Sequence, residues 1–175
     1  CVGSRSFGKR IEKFQELKEA VASYCLNASE TIRSESLIAI AINVFVRTSP
    51  FQKNFEYYSN VKTIDFPIAT NNSIEIVKTA VSILEKIFKN GYQYQKAGII
   101  LTGLRNNDGR RNLFSSEKDE KINSLMRSID NTNYRYGRST LSLASAGVQK
   151  KWNMRRQYSS KIDTADFFAL PRIKI

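Results

Sequence analysis

The apolar run Leu37–Thr48 limits the possible folds more than any other segment of this sequence. Bulky β-branched side chains fill one face of an extended chain here, at positions Ile38, Ile40, Ile42, Val44 and Val46. The other face carries Ala39, Ala41, Asn43, Phe45 and Arg47. A strand that is apolar at nearly every position is typical of the middle of a sheet. The run therefore predicts a central strand, which Ser49 and Pro50 end.

The flanking segments predict the rest of that sheet and its cover. Residues 1–10 and 60–67 have the alternation of shorter strands, and residues 92–104 predict the last strand. Apolar residues three and four apart predict a helix over residues 12–33 and a second helix that begins at Asn71-Asn72-Ser73 and stops at Asn90-Gly91. The order is βαββαβ. It indicates an α/β (α+β) two-layer sandwich, in which a four-stranded sheet has two helices on one face and is open on the other.

Beyond this domain, the composition becomes more polar. We assign residues 1–109 to the sandwich, residues 110–121 to a linker and residues 122–175 to a small C-terminal extension. The extension begins with a helix-like run of Ile122, Leu125, Met126 and Ile129. The chain carries 28 Lys and Arg against 16 Asp and Glu, a net charge of +12 that divides equally at Arg111.

Composition argues against several kinds of chemistry. The chain has no His and only two Cys, so the commonest general base and the commonest zinc ligand sets are missing. We expect both thiols to be reduced and the protein to be cytoplasmic. No apolar run reaches the roughly 18 residues of a membrane span, so we expect no membrane partner. Because the sequence starts within a strand, we expect the chain to be cut from a longer protein.

A strong positive charge on a small domain favours a polyanionic partner. Hydroxyl, guanidinium and ammonium groups that suit phosphate oxygens occur on the predicted strands, with no side chain shaped to read a base edge. The candidate DNA contacts are Ser4, Arg5, Ser6, Lys9, Arg10, Arg47, Thr48, Ser49, Lys62 and Lys96. Gly8, which has no side chain, would leave backbone N–H groups beside them accessible to phosphate. The alternative is that these are ordinary solvated strand residues.

A second basic cluster surrounds the single tryptophan, Trp152. Its cations are Lys150, Lys151, Arg155, Arg156 and Lys161, with no acidic residue between them. An accessible indole among cations suits a partner or nucleic acid through charge and stacking, with Lys151, Trp152, Arg155 and Arg156 as the contacts. The same pattern equally suits a structural Trp that fills a small core.

Several motifs in order resemble one family. They are Ser-Arg-Ser-Phe-Gly at residues 4–8, the strand end and turn at residues 45–51, and residues 94–98. Together they are similar to the little-finger domain of UmuC-like Y-family translesion DNA polymerases. Residues 124–138 and 151–157 resemble the C-terminal extension of UmuC-type chains. The resemblance covers essentially the whole chain.

The resemblance implies a region of an error-prone polymerase of SOS-type DNA repair that grips primer-template DNA with its open sheet. The magnesium-binding carboxylates of that family belong to the palm domain, so we expect neither cofactor nor catalysis in this chain. The tail would contact a UmuD'-type accessory dimer and the RecA filament.

The family also carries a sliding-clamp peptide after the little finger. The matching place, residues 110–114, reads Arg-Arg-Asn-Leu-Phe, so Asn112, Leu113 and Phe114 are the candidate clamp contacts. The two arginines depart from the family pattern, and Leu113 and Phe114 could instead dock on their own domain. The alternative function is a protein-interaction platform for the clamp and accessory subunits, with little DNA affinity of its own.

Overall fold

The computed structural model describes residues 1–51, 56–107, 117–148 and 152, without the side chains of residues 117–119. Its strands are β1 (Val2–Ile11), β2 (Leu37–Thr48), β3 (Ser59–Thr70), β4 (Tyr94–Thr102) and the short β5 (Arg105–Asn106). Its helices are α1 (Phe14–Ser34), α2 (Ser73–Ile87) and α3 (Glu117–Tyr136), followed by a 3₁₀ turn at Ala144–Ala146. The predicted βαββαβ order is confirmed.

The sheet is antiparallel, with the strand order β1-β4-β2-β3. The prediction that β2 is central is therefore correct, and its bounds coincide with the apolar run. β5 adds a short fifth strand beside the start of β2, which the sequence did not predict. The two edge strands of the sheet are β1 and β3. The pairing of each with its neighbour is interrupted once: β1 with β4 between Ser6 and Ile11, and β3 with β2 between Ala39 and Ala41.

Helices α1 and α2 pack on one face of the sheet. Apolar residues spaced by three and four along α1, such as Leu17, Val21 and Cys25, are fully buried. Asn72 begins α2 as predicted, since its side-chain oxygen accepts a hydrogen bond from the Ile74 N–H at 3.0 Å. The core lies between these helices and the even-numbered residues of β2, Ile42, Val44 and Val46, all of which are inaccessible to solvent.

In the described part of the C-terminal extension, α3 and the 3₁₀ turn pack on the outer side of α1. Met126 and Asn133 of α3 are buried, and so is Ala146 of the 3₁₀ turn. Arg33 of α1 joins Asp130 of α3 through two hydrogen bonds of 2.7 and 2.8 Å. Within the described residues, sandwich and extension therefore share contacts.

α3 begins at Glu117, inside the segment predicted to be a linker. Residues 117–121 of the predicted linker are therefore helical, while its first part, residues 110–116, lies outside the described residues. No helix in the described part of the chain is both long and apolar enough to cross a membrane.

Candidate nucleic-acid interface

The face of the sheet opposite the two helices is a surface of three cross-strand rows. The register aligns one row of Ser6, Lys96, Arg47 and Ser59, a second of Ser4, Gly98, Phe45 and Val61, and a third of Val2, Ile100, Asn43 and Thr63. Side chains alternate between the faces of a strand, so all of these point away from the helices. We call this surface the open face. It carries hydroxyl and amide groups, two cations and a few apolar side chains.

The charges of the open face are concentrated at one end. Arg47 and Lys96 are direct cross-strand neighbours, a placement that costs stability because like charges repel. Neither cation forms an ion pair with any residue in the described ranges. Asp65 of β3 lies beyond the third row, where it pairs with Ala41, six residues from Arg47 and so about 20 Å away along the strand. The Arg47 end therefore suits an anion.

The lack of a side chain at Gly98 lets its neighbours pack closely in the middle of the open face. It lies between Ser4 and Phe45 in the second row and is buried by them. A Cβ atom at this position would approach the Ser4 Cβ to 2.4 Å and the Phe45 ring to 2.6 Å. The Phe45 ring thus lies across the backbone of Gly98, where any larger residue would push it outward.

Gly98→Ala is expected to lower the free energy of unfolding by about 1 to 3 kcal/mol, the usual cost of an overpacked site. The Ser4 Cβ is fixed to the backbone and cannot move aside like the end of a flexible side chain. Denaturant titration measures the change, with Gln95→Ala at an exposed position of the same strand as the control. Equal stability of the two variants would mean that the rows do not pack this closely.

The open face gathers four of the predicted DNA contacts, Ser4, Ser6, Arg47 and Lys96. Two other predicted contacts lie on the opposite side. Arg5 pairs with Ala97 and Lys62 with Val44, positions that face the helices. Both side chains are exposed at the two sheet edges, and Arg5 lies close enough to Tyr24 of α1 to act on its pKa.

The four remaining candidates have local partners. Thr48 is buried and closes the β2-β3 turn, since its hydroxyl oxygen accepts a hydrogen bond from the Tyr58 N–H at 2.8 Å. Ser49 is also buried, and its hydroxyl accepts from the Phe51 N–H. In the irregular end of β1, Lys9 forms an exposed ion pair with Glu16 at 3.2 Å. Arg10 beside it donates to the Gln93 side chain.

A DNA contact needs a free backbone N–H at Gly8 and an accessible indole at Trp152. The structure shows neither among the described residues. The Gly8 N–H donates to the Trp152 carbonyl at 3.3 Å, so this amide is not bare. Trp152 is only 3% exposed and packs edge-on against Phe7 and Tyr24. A base cannot stack on a buried indole, so the prediction of Trp152 as an accessible contact is corrected. The structural alternative is the one observed.

Tyr24 has a buried hydroxyl without a hydrogen-bond partner among the described residues. Tyr24→Phe is therefore expected to raise the free energy of unfolding by about 1 kcal/mol near neutral pH, because an unsatisfied polar group is removed at constant shape. Tyr94→Phe is the matched control. Its buried hydroxyl accepts from the Lys89 N–H and donates to the Lys89 carbonyl, so its loss should destabilise.

The gain in stability from Tyr24→Phe should also depend on pH. Burial raises the pKa of Tyr24 from 10.0 to about 12, against a smaller lowering by Arg5. The unfolded chain then loses this proton first, so the contribution of Tyr24 to stability falls as the pH rises from 10 to about 12. The advantage of Tyr24→Phe over the native chain should grow over that interval. An advantage independent of pH would contradict the shift.

Several predicted contacts lie outside the described residues. They are the clamp candidates Asn112, Leu113 and Phe114, and Lys151, Arg155 and Arg156 of the basic cluster. Their roles stay predictions. Among the described residues, no three Cys, Asp or Glu side chains come together as a metal site would need.

The open face also contains residues that the sequence-based candidate set left out, namely Asn43, Phe45, Ser59 and Thr63. Asn43 and Thr63 are hydrogen-bonded to each other across β2 and β3. Alternation along β2 had already put Asn43 and Phe45 on the face of Arg47, so this could have been inferred. Ser59 and Thr63 depend on the register with β3, which only the structure provides.

These features define the class: a two-layer α/β sandwich in which one sheet face carries none of the described helices, and in which Arg47 and Lys96, unpaired among the described residues, meet at one end of that face. Comparison with known families agrees with the resemblance noted in the sequence. Residues 2–113 match the impB/mucB/samB family C-terminal domain, and residues 123–173 match a domain of unknown function, DUF4113. The chain belongs to the impB/mucB/samB family.

Similar proteins extend over nearly the whole chain. Protein UmuC of Salmonella typhimurium is 35% identical over 175 residues, which are 99% of this chain and 42% of that protein. MucB of Salmonella typhimurium is 33% identical over 97% of the chain and 40% of its own length. SamB of the same organism is 32% identical over 99% of the chain and 41% of its own length. The chain thus spans about two fifths of the curated relatives it matches.

Proposed function

We propose that this chain is the DNA-binding C-terminal region of an error-prone translesion polymerase of the Y family, and that its open face holds duplex DNA by phosphate contacts. Membership of the impB/mucB/samB family and the similarity to UmuC support the polymerase context. Catalysis, with its magnesium ions, would belong to the rest of such a polymerase.

The observation that carries the proposal is the pairing of Arg47 with Lys96. Two adjacent cations without a carboxylate partner in the described ranges repel each other, and an anion bound between them would relieve that repulsion. Serine hydroxyls flank them at both ends of the row, at Ser6 and Ser59. These groups recognise phosphate oxygens and carry no information about base sequence.

The proposal is tested with two primer-template duplexes of unrelated sequence, each titrated with the chain at two salt concentrations. Binding through phosphates releases counterions, so affinity should fall steeply with salt and hardly differ between the duplexes. Fluorescence anisotropy measures both quantities. A clear preference for one duplex, or an affinity that salt does not change, would overturn the proposal.

We further propose that partners of the parent polymerase meet this region, namely the sliding clamp, a UmuD'-type dimer and the RecA filament. The clamp would bind through Leu113 and Phe114, whose apolar side chains suit a hydrophobic pocket. Capture of the clamp by the native chain but not by Leu113→Ala or Phe114→Ala would support this, and equal capture would contradict it.

A protein-interaction platform with little DNA affinity is the competing function. That function is favoured if the open face is neutral and the basic residues gather around Trp152. The open face instead carries Arg47 and Lys96, which favours DNA binding. The cations next to Trp152 in the sequence, Lys151, Arg155 and Arg156, lie outside the described residues.

A further inference from the structure

The second row of the open face is apolar next to the place where the first row is charged. Phe45 and Val61 are direct cross-strand neighbours in this second row, and we call them the apolar pair. Each lies two residues along its strand from a member of the first row, Arg47 or Ser59, a distance of about 7 Å. A phosphate held by the first row therefore has the apolar pair beside it.

Both side chains of the apolar pair are held in place and reach the surface. The Phe45 ring is partly exposed and lies over Gly98, where a Cβ atom would come within 2.6 Å of it. Val61 is 61% exposed, and its branched side chain has little rotational freedom. The pair thus offers a rigid surface without a hydrogen-bond donor or acceptor.

The sheet offers a bound nucleic-acid strand no other row beside the charged one. Arg47 is one residue from the end of β2, and Ser59 is the first residue of β3. The pair beyond them on β2 and β4, Thr48 with Tyr94, is buried. A sugar next to a phosphate at Arg47 and Lys96 therefore meets the sheet on the side of the apolar pair.

The polar side chains around the apolar pair leave a sugar hydroxyl poorly served. In the third row, the Thr63 hydroxyl donates to the Asn43 side-chain oxygen, so these two groups satisfy each other. The hydroxyl of the second row, Ser4, lies on the other side of the Phe45 ring from Val61. A ribose hydroxyl placed over the apolar pair would lose its water without gaining a partner, which is unfavourable.

We propose that the apolar pair makes the open face select duplex DNA over duplex RNA. This inference rests on the proposed function, since it needs phosphates at Arg47 and Lys96. The 2′-hydroxyl is the group by which a protein distinguishes RNA from DNA at a given site. Deoxyribose has only C–H groups at that carbon, and these pack on Phe45 and Val61 without the loss of a hydrogen bond. Phe45 and Val61 thus determine specificity for the sugar, while Arg47 and Lys96 bind the phosphate.

The test is an anisotropy titration of the 175-residue chain with three duplexes of one sequence. They are DNA, RNA and 2′-fluoro RNA, which keeps the helix form of RNA but lacks the hydroxyl. DNA should bind about tenfold more tightly than RNA, because RNA buries hydroxyls without partners. The affinity for 2′-fluoro RNA should be closer to that for DNA. Equal binding of DNA and RNA, or a 2′-fluoro affinity closer to that for RNA, overturns the proposal.

A matched pair of variants assigns the selectivity to the apolar pair. Val61→Thr keeps the size of the side chain and adds a hydroxyl that can bond to ribose, so the preference for DNA should fall about threefold or more. Val2→Thr makes the same change at a similarly exposed position, in the third row on the other edge strand, and should keep the native preference. An unchanged preference in Val61→Thr overturns the assignment.

Folding and the proposed function are checked separately. Circular dichroism and thermal unfolding show whether each variant folds, and if Val61→Thr does not, the three duplexes with the native chain decide. Arg47→Ala with Lys96→Ala should weaken the binding of DNA, RNA and 2′-fluoro RNA by similar factors. If that variant binds all three as the native chain does, the proposed function fails. If it loses affinity but the native chain binds DNA and RNA equally, only the selectivity fails.

Discussion

Replacing Arg47 and Lys96 together by alanine is expected to weaken duplex binding by about tenfold to a hundredfold at moderate salt, because two phosphate contacts are lost. The two cations are cross-strand neighbours at the charged end of the open face, with serine hydroxyls on both sides. Folding should not suffer, since the substitution also removes a repulsion between like charges.

The matched control removes the same charge elsewhere. Lys78 and Lys86 are exposed on α2, on the far side of the sandwich from the open face, and Lys78→Ala with Lys86→Ala should change duplex affinity little. Anisotropy with one duplex compares the three proteins. If both double variants lose affinity equally, net charge alone accounts for binding and the open face is not the site.

Arg33→Ala is expected to lower the free energy of unfolding by about 2 kcal/mol, between the cost of breaking an exposed ion pair and that of breaking a buried one. The Arg33 side chain is 12% exposed, and its guanidinium grips both carboxylate oxygens of Asp130. It also donates to the Asn71 carbonyl at 2.7 Å and to the Ser73 hydroxyl at 2.8 Å. Its loss removes a link between α1, the start of α2 and α3.

Arg33→Lys should recover only part of the lost free energy of unfolding, because an ammonium group cannot form the two parallel hydrogen bonds that the planar guanidinium donates to the Asp130 carboxylate. Arg127→Ala, at an exposed position of α3, is the control and should be nearly neutral. Denaturant unfolding gives the free energies, and hydrogen exchange along α3 reports whether that helix is released first. Native protection of α3 in Arg33→Ala would show that apolar contacts alone hold it.

The order of helices and strands could be predicted because the spacing of apolar residues in each segment shows which of its faces is buried. Apolar residues alternate along β2 with a period of two, which places Arg47 and Phe45 on the face opposite Val44 and Val46. In α1 and α2 the apolar spacing and the Asn72 cap are equally local. These signals are properties of one segment and need no knowledge of its neighbours.

The composition of the site was less predictable because it depends on pairing between segments. Lys62 and Arg5 carry the same positive charge as Arg47, yet the register turns both toward the helix side. Trp152 packs between residues distant in the chain, Phe7 and Tyr24, so its burial has no local signature. The link between Arg33 and Asp130 joins residues 97 positions apart. Such contacts depend on how distant segments pack together, and the spacing of apolar residues within one segment carries no information about that packing.

Backbone amide NMR during titration with a primer-template duplex would most directly locate the DNA on this chain. If the open face holds the duplex, the largest shift changes should fall on its rows in β1, β4 and β2, above all around Ser6, Lys96 and Arg47. The amides of α2 should stay nearly unchanged. Changes confined to the helices, with the three rows unaffected, would contradict DNA binding by the open face.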